Sequence, residues 1–387
     1  MSNDSAAQRA VCVANNRGGV GKTFMTFQTS CAIATANPDK KVLVFDFSIY
    51  SELTAMFLGG TAAAEVFGAP EGVRVCKEKV ESEKRVEGLL KKLSGGGGGL
   101  SGKASGLFGG GGLFGKFGSG GDAVDLESFG VKPNDFNGTI PSNLHLIPSA
   151  GTDSFAADTK DSPWTQFQPI MGQKLAKSIE RLSDEWGAVF FDTDHLASSA
   201  MTKLALAASD VVVVPCPIDT AEFQRLYQTP DATMFSGVES LFDDVMIPMQ
   251  AQGHLRARVS KMIFSKIPSA QNASSETTGG VRLPFTPNAT AGQQMDALAN
   301  LAYEVCAKFP KYKTIFVHGN ASKRDFVQGT FTALKMVPDL PRTISTQSGV
   351  PLCTMTTQKY TTAGGISGST GAQVLASLKR ELTELFA

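Results

Sequence analysis

The chain has 387 residues, of which 42% are hydrophobic and 19% charged, so it holds enough apolar material for a sizeable core and is not disordered as a whole. Its 36 basic and 36 acidic residues give a formal net charge of zero, so no overall field draws it to nucleic acid or anionic lipid. The six scattered cysteines contain no Cys-x-x-Cys pair, which argues against zinc or iron–sulfur sites and fits a reducing compartment.

The N-terminal sequence MSNDSAAQRA lacks the apolar core of a secretion signal. No run in the chain approaches the ~20 apolar residues that a membrane span needs. We therefore expect a cytoplasmic protein.

Apolar strands alternate with stretches of helical period, which predicts an α/β fold with a mostly parallel central sheet and helices on both faces. The predicted strands, in chain order, are 10–14, 42–46, 144–147, 189–192, 211–215, 261–264 and 314–317. The predicted helices are 23–36, 164–186, 198–208, 291–308 and 372–386. We expect one domain over residues 1–387.

Residues 70–135 depart from this pattern and are predicted to form a variable insertion. The charged stretch 71–93 has apolar residues at helical spacing and is expected to be a solvent-facing helix. It leads into a Gly/Phe-rich loop, 94–121, because 15 of the chain's 40 glycines lie at 95–121. We expect this loop to be disordered. Its two GLFG copies suggest weak multivalent binding, but two copies are few, so a plain surface loop is the favoured interpretation. Shallow membrane insertion of its Leu and Phe residues is a third alternative, which the scarcity of nearby basic residues disfavours.

The segment NNRGGVGKT, Asn15 to Thr23, stands between the first predicted strand and the first predicted helix. Its glycines allow backbone N–H groups to wrap an anion, and the helix adds its positive dipole end. Lys22 would reach the β and γ phosphates, and the Thr23 hydroxyl would ligate Mg²⁺. The sequence thus predicts a P-loop NTPase that binds ATP and Mg²⁺, with a cradle of Asn16, Gly18, Gly19, Val20, Gly21, Lys22, Thr23 and Phe24.

The strict P-loop pattern has glycine where this chain has Asn16, and a cation, Arg17, precedes the glycines. In this respect the segment resembles the deviant P-loop of the ParA/MinD family, K-G-G-x-G-K-[ST], with Arg17 at the place of the signature lysine. That family's signature residue reaches across a nucleotide-sandwich dimer to the partner's phosphates. The resemblance implies self-association as a homodimer, with catalytic roles for Arg17 and Lys22.

Two further segments extend the resemblance. The first is similar to the family's D-x-D-P-Q motif and reads KKVLVFDFSIYSELT, with Asp46 at the first aspartate. The second is similar to the Walker B strand with the helix and strand after it, and reads WGAVFFDTDHLASSAMTKLALAASDVVVVPCPID. Asp192 stands at the place of the Walker B acid. The resemblance implies a catalytic role for Asp46 and a magnesium site of Thr23, Asp46 and Asp192. Ser48 replaces the second aspartate of D-x-D, so slow hydrolysis is expected. Asp194 can partly replace that acid, although an N-cap of helix 198–208 is the favoured interpretation.

At the adenine end, Ser265 and Lys266 stand where the family often has Asn-Lys, after RVSKMIF. The sequence HGNAS, His318 to Ser322, comes after the last predicted strand and is the alternative contact with the base. Either segment also fits an ordinary turn.

The resemblance implies an ATP-dependent dimerising switch that partitions or positions a cargo, together with an activating protein that the sequence does not identify. The alternative is a nucleotide-binding scaffold or polymer subunit with degenerate ATPase activity; a metabolic enzyme is disfavoured because no paired cysteines are present. The basic clusters 254–261 and 323–326 are candidates for non-specific DNA contact. The C-terminal helix is expected to pack on the sheet and not on a membrane, because its polar face mixes acids with bases.

Overall fold

The computed structural model describes residues 10–63, 68–95, 123–151, 166–195, 199–227, 239–269, 280–281, 283–362 and 365–384. The predicted Gly/Phe-rich loop lies outside these residues from position 96 onward. The described framework begins again at residue 123, on the far side of that segment.

Seven strands form one sheet in which every neighbouring pair is parallel. The strands are β1 (Ala10–Val13), β2 (Lys41–Phe47), β3 (Leu144–Ile147), β4 (Trp186–Thr193), β5 (Val211–Cys216), β6 (Arg258–Ile267) and β7 (Phe331–Lys335). Their order across the sheet is β3-β2-β4-β1-β5-β6-β7. Strands β2, β3 and β4 therefore lie on one side of β1, and β5, β6 and β7 lie on the other, so the strand order reverses at β1. Two more short strands, β8 (Tyr360–Thr361) and β9 (Ser367–Gly368), pair antiparallel.

Helices cover both faces of the sheet. They are α1 (Lys22–Ala36), α2 (Glu52–Leu58), α3 (Glu71–Lys79), α4 (Val86–Leu93), α5 (Pro169–Glu180), α6 (Ala200–Ala208), α7 (Thr220–Gln224), α8 (Ile247–Ala251), α9 (Ala289–Lys308), α10 (Lys323–Thr330), α11 (Asp339–Ser348) and α12 (Ala372–Glu384). Helices α1, α2, α3, α11 and α12 contribute to the core on one face, and α4 to α10 to the core on the other.

The strands are buried on both faces, which explains their nearly continuous apolar sequences. In β1, Ala10 and Cys12 belong to one core and Val11 and Val13 to the other. This alternation confirms the predicted fold class: a mostly parallel sheet between two helical layers.

Six of the seven predicted strands are confirmed, and the strand predicted at 314–317 is wrong. A 3-10 helix, Pro310–Ile315, occupies its first part, and Phe316 forms only an isolated bridge to Val259. The edge strand β7 instead comes after α10, whose N-terminus is capped by the Ser322 hydroxyl accepting from the Asp325 amide. The helix predicted at 164–186 is also shorter than expected, since α5 ends at Glu180 and Trp186 begins β4.

The charged stretch 71–93 was expected to be one solvent-facing helix, and that expectation is wrong. It forms two helices, α3 and α4, and α4 turns an apolar face inward: Val86, Leu89, Leu90 and Leu93 are at most 1% exposed. The lysines of α4, Lys91 and Lys92, remain exposed. The flank of the predicted insertion is therefore part of the core.

The C-terminal helix packs on the body of the protein, as expected. Leu375, Leu378 and Leu382 of α12 are buried in the same core as α1. Leu385 and Phe386 lie outside the described residues. Among the helices that the structure describes, none combines the length and apolar character required to cross a bilayer.

A buried glutamine joins α1 to α11. The Gln28 amide donates to the Ser345 hydroxyl at 2.6 Å, and its carbonyl oxygen accepts from the Leu352 amide at 2.8 Å. Gln28 is fully buried, so these bonds satisfy a polar group that would otherwise be costly inside the core.

Replacing Leu89 with alanine tests the burial of α4. We expect Leu89→Ala to lower the free energy of unfolding by about 2–5 kcal/mol, because a large side chain leaves a packed site. Urea unfolding followed by circular dichroism measures the loss. The matched change on the exposed side of the same helix, Lys92→Ala, should stay within about 0.5 kcal/mol of the wild type. Equal midpoints for the two variants would contradict the packing described for α4.

Candidate functional site

The carboxyl ends of three neighbouring strands meet at one edge of the sheet. Val13 at the end of β1 pairs with Asp192 of β4, and Asp192 in turn pairs with Asp46 of β2. The parallel register thus brings the loop after β1 and two aspartates together, although they are distant in the sequence. In open α/β sheets this edge, where strand order reverses, is where ligands bind.

The loop after β1 turns sharply into α1. Gly19 and Gly21 have φ angles of 74° and 96°, in the left-handed region that glycine tolerates and side chains strain. Helix α1 begins at Lys22, and no side chain caps its N-terminus. The arrangement matches the predicted cradle, in which loop and helix end both favour a bound anion.

Lys22 lies inside this loop. Its ammonium group donates to the Arg17 carbonyl at 2.8 Å, and the residue is only 6% exposed. Burial lowers the pKa of Lys22, and the nearby carboxylates Asp192 and Asp194 work in the opposite direction. The cation is therefore placed between the glycine loop and the acids of β4.

Asp46 and Asp192 are both fully buried, and the charge of Asp46 opposes the ionisation of Asp192. Burial raises the pKa of Asp46 to about 6. Burial, and then the charge of Asp46, raise the pKa of Asp192 well above its usual value, while the Thr23 hydroxyl acts to lower it. Such a pair favours a nearby cation.

The two aspartates differ in their free hydrogen-bonding capacity. Asp46 accepts from the Ser48 amide at 3.1 Å and from the Thr54 amide and hydroxyl at 2.8 and 2.7 Å, so both its oxygens are engaged. Asp192 accepts from the Thr26 hydroxyl at 3.3 Å through one oxygen only. Within the described residues its Oδ2 has no hydrogen-bond partner, although it is buried. Asp192 Oδ2 is thus the carboxylate atom available to a cation or to its water.

The donor set suits Mg²⁺ bound together with phosphates. Mg²⁺ usually takes one or two protein oxygens and completes its shell with water and phosphate. Thr23 and Asp192 provide such oxygens, whereas Asp46 contributes charge through a carboxylate whose hydrogen bonds are already made. In the part of the chain that the structure describes, no cluster of three or more His, Cys, Asp or Glu residues could hold a metal on its own.

A cavity of about 690 Å³ extends from the glycine loop to the ends of β6 and β7. Its size is typical of pockets for small ligands. Of the predicted cradle and base residues, those lining the cavity are Gly18, Gly19, Val20, Gly21, Lys22, Thr23, Phe24, Ser265 and Lys266. Asn16 is not among them: its amide donates to the carbonyls of Arg225 and Glu239, at 3.1 and 2.7 Å, and so anchors the loop from behind.

Sequence reasoning missed the far wall of the cavity. Residues 334–337 at the end of β7, with Asp339, Arg342, Thr343 and Thr346 of α11, line this end. The alternative base contact, His318 to Ser322, does not line the cavity, and it comes after a 3-10 helix and not after the last strand. The available signal was the sequence LKMVPDLPR, an apolar strand followed by proline and a helix start, at the same edge of the sheet.

Lys266 also supports the loop directly. It has a left-handed backbone, with φ of 60°, and its ammonium donates to the Gly19 carbonyl at 2.9 Å. The Ser265 hydroxyl donates to the Cys216 carbonyl at 3.4 Å. The pair therefore lies beside the phosphate cradle as well as along the path to the far wall.

Arg17 forms an ion pair within its own chain. Its guanidinium lies 2.5 Å from Glu222 Oε1 on α7, and Glu222 also pairs with Arg225 at 3.2 Å. The Arg17 side chain is 45% exposed, so it remains at the surface of the loop. Arg17 is thus tied to the segment after β5.

Asp194 does not cap α6, and the favoured interpretation of this residue is wrong. Helix α6 begins at Ala200, and the Ser199 hydroxyl accepts from the Thr202 amide as the cap. Asp194 is instead buried at the edge of the cavity, where it accepts from the backbone and the ring of His195. The helix start is displaced along the chain from the position that the sequence indicated.

The two basic clusters lie away from this cavity. In the first, Arg256 pairs with Glu180 and with Asp210, so its charge is compensated by the chain itself. Burial lowers the pKa of Lys261 in the same cluster. In the second, Lys323 and Arg324 are exposed at the start of α10.

The buried acid pair makes a stability prediction. We expect Asp192→Asn to raise the free energy of unfolding of the ligand-free chain at pH 7.5 by about 1–2 kcal/mol, because asparagine removes a buried carboxyl group whose ionisation is favoured in the unfolded chain. The raised pKa means that the folded state retains a proton that the unfolded chain loses above pH 3.8, so the gain should vanish as pH falls below that value.

Asp192→Asn should also lose the extra thermal stabilisation of the chain that Mg²⁺ provides when ATP is bound. Thermal unfolding with and without Mg²⁺·ATP measures both effects, and Asp39→Asn, an exposed carboxylate, is the control. If Asp192→Asn lowers stability and keeps the magnesium effect, the described role of Oδ2 is wrong.

Comparison with solved structures finds similar architectures at low sequence identity. McdA from Cyanothece, without nucleotide, has a TM-score of 0.49 at 13% identity and covers 98% of this chain and 99% of its own. A plasmid partition protein from Borrelia burgdorferi bound to AMPPNP has a TM-score of 0.45 at 14% identity, with 98% of both chains covered. ParA of pNOB8 has a TM-score of 0.43 at 14% identity and covers 86% of this chain and 82% of its own.

No model of a known protein family matches the sequence, and no curated protein is significantly similar to it. The similarity to the three solved structures is one of overall architecture alone, at 13–14% identity.

Proposed function

We propose that the chain binds Mg²⁺·ATP in this cavity and acts as a nucleotide-dependent switch that dimerises around the bound nucleotide. One observation carries the proposal: the left-handed glycine loop and the uncapped start of α1 stand beside a buried carboxylate, Asp192, with one unpartnered oxygen. An anion cradle and a cation-seeking carboxylate at one point fit a magnesium–phosphate ligand.

The residues divide the binding between them. The backbone of Gly18 to Gly21 would surround the phosphates and Lys22 would neutralise them, while Thr23 and Asp192 would hold Mg²⁺. Bound Mg²⁺ supplies charge stabilisation to the transferring phosphoryl group. Asp46 would add negative charge near a bound Mg²⁺, and its three hydrogen bonds keep its side chain in place.

The adenine would lie toward the other end of the cavity. Ser265 and Lys266 line the passage, and Met336 and Val337 add apolar surface at the end of β7. Met336 is 54% exposed, which is unusual for a large apolar side chain and fits contact with a flat ligand. This extends the predicted base site from Ser265 and Lys266 to β7.

Self-association is proposed through Arg17. To reach phosphates in a second copy, this guanidinium must leave Glu222, so the ion pair holds the arginine in the separate chain. A guanidinium keeps its charge and can bind phosphate oxygens through two N–H groups. The phosphates of a nucleotide held between two copies would offer Arg17 a stronger anion than Glu222, because the single carboxylate of Glu222 is already shared with Arg225.

We further propose that the switch partitions or positions a cargo, with hydrolysis that is slow until an activating protein binds. The resemblance of the P-loop and Walker B segments to the ParA/MinD family supports this class of function. The neighbouring structures include a partition protein solved with AMPPNP and an McdA variant solved with ATP. Ser48 supplies no carboxylate at this edge, which fits slow turnover. The same serine supports the second candidate, a nucleotide-binding scaffold whose hydrolysis is degenerate.

Nucleotide-dependent dimerisation tests the proposal directly. We expect the chain to be monomeric alone and dimeric with Mg²⁺ and a non-hydrolysable ATP analogue, as measured by sedimentation velocity. Lys22→Ala should weaken analogue binding at least about tenfold and abolish the dimer, since the phosphates lose a buried cation. Lys92→Ala should behave as the wild type. A wild-type chain that neither binds the analogue nor changes mass with it would refute the switch.

The Arg17–Glu222 pair sharpens the same experiment. We expect Arg17→Ala to bind the analogue but remain monomeric, and Glu222→Gln to dimerise at lower protein concentration because Arg17 is released. Glu185→Gln, an exposed carboxylate paired with Lys41, is the matched control. An unchanged dimerisation constant in both test variants would exclude Arg17 from the interface.

Restoring the missing acid tests the slow-hydrolysis proposal. Ser48→Asp should raise the single-turnover rate of ATP hydrolysis about tenfold or more, because a carboxylate beside the attacking water helps to orient it. Rapid quench with radiolabelled ATP measures the rate, and Ser82→Asp, at an exposed position in a 3-10 helix, is the control. A rate that stays at zero in wild type and variant, with dimerisation intact, favours the scaffold.

A further inference from the structure

His195 occupies a position at the phosphate end of the cavity. It comes immediately after Asp194, beyond the end of β4, and lines the cavity together with the glycine loop. A methyl group built on Gly18 would lie 3.9 Å from the His195 Cβ, so the two residues are adjacent. The imidazole side chain is 40% exposed and therefore accessible from the cavity.

Two contacts fix the imidazole ring. Its Nδ1 lies 2.6 Å from Asp194 Oδ1, an oxygen that also accepts from the His195 backbone amide at 2.6 Å. On one face, the Tyr50 ring stacks at 5.8 Å between centroids and 24° between planes. Because the Asp194 side chain is only 3% exposed, the ring is oriented by a carboxylate that is itself held in the protein.

The hydrogen bond to Asp194 determines the chemistry of the other nitrogen. When Nδ1–H donates to the carboxylate, Nε2 of the neutral ring carries a lone pair and accepts a hydrogen bond. A histidine held by a buried carboxylate in this way presents a directed acceptor to a reacting group. Nε2 can therefore accept from a water molecule in the cavity.

The residues named below, which lie near His195, are less suited than its ring to accept a hydrogen bond from this water. Ser48 is neutral, and its hydroxyl accepts from the Tyr50 amide at 3.2 Å. Both oxygens of Asp46 are engaged by local donors. Glu52, in the first turn of α2, is a further acceptor that lines the cavity, but it is an exposed side chain in contrast to the oriented ring.

We propose that His195 positions the attacking water for ATP hydrolysis, in place of the carboxylate that Ser48 does not supply. This inference rests on the proposed function. The water donates a hydrogen bond to Nε2, and its oxygen bonds to the γ-phosphorus while the bond from that phosphorus to the β,γ-bridging oxygen breaks. The electron pair of the broken bond stays on ADP, and both water protons leave with inorganic phosphate.

Single-turnover hydrolysis of Mg²⁺·ATP by the full chain tests the inference, with affinity for a non-hydrolysable analogue measured in parallel. We expect His195→Ala to slow hydrolysis about 10- to 100-fold while analogue affinity changes less than about twofold, because water orientation matters only in the chemical step. His195→Gln should recover part of the rate, since its amide oxygen also accepts from water. His254→Ala, a histidine remote from the cavity, is the matched control.

A double variant separates water positioning from a structural role. Ser48→Asp introduced into His195→Ala should restore hydrolysis, because the new carboxylate takes over the same water. Each variant is checked for thermal stability. If the double variant hydrolyses ATP no faster than His195→Ala, a carboxylate at position 48 and the His195 ring do not position the same water, and the proposal is refuted.

The remaining outcomes of the hydrolysis experiment also decide whether His195 positions the attacking water. An unchanged rate in His195→Ala, or a slow rate confined to Glu52→Gln, overturns the assignment of the water to His195. Parallel losses of rate and analogue affinity overturn it as well, since His195 would then be a binding residue. A wild-type chain that does not hydrolyse ATP defeats this inference together with the hydrolytic part of the proposed function, whereas failure in His195→Ala alone leaves the proposed function intact.

Discussion

Two carboxylates buried side by side, Asp46 and Asp192, impose the constraint on which the site depends. Adjacent parallel strands place them at paired positions, where both are fully buried and the charge of Asp46 opposes ionisation of Asp192. The nearby Lys22 ammonium and the N-terminus of α1 supply positive charge at the same edge. A magnesium–phosphate ligand fits this arrangement because it brings a cation to the acids and anions to the loop.

The fold was largely predictable because its strands are buried on both faces. Near-continuous apolar runs identify such strands from sequence, and six of the seven predictions hold. The error at 314–317 has a physical cause: a short run with only three apolar residues, Ile315 to Val317, fits the end of a 3-10 helix as well as a strand, and periodicity cannot separate the two. The edge strand β7 is harder to recognise, since its sequence FTALK mixes apolar and polar residues.

The geometry at the glycine-loop end of the candidate site was also predictable, because it is built from a contiguous loop and from acids at strand ends. The rest depends on contacts between distant segments. Asn16 binds carbonyls beyond residue 220, and Arg17 binds Glu222, neither of which a local pattern reveals. Asp194 was misassigned because a cap is identified only once the first turn of its helix is known, and Ser199 fills that role. His195 becomes noticeable only when its position beside Gly18 and Tyr50, which lie far from it in the sequence, is seen.

The buried Gln28 links the two ends of the cavity. It lies on α1, which begins at the end of the glycine loop, and it bonds to Ser345 on α11, the helix that lines the far wall. Moving α11 away from α1 would break this hydrogen bond and leave the Gln28 amide buried without that partner, which costs about 1–3 kcal/mol. A joint displacement of the two helices is therefore less costly than the movement of either helix alone.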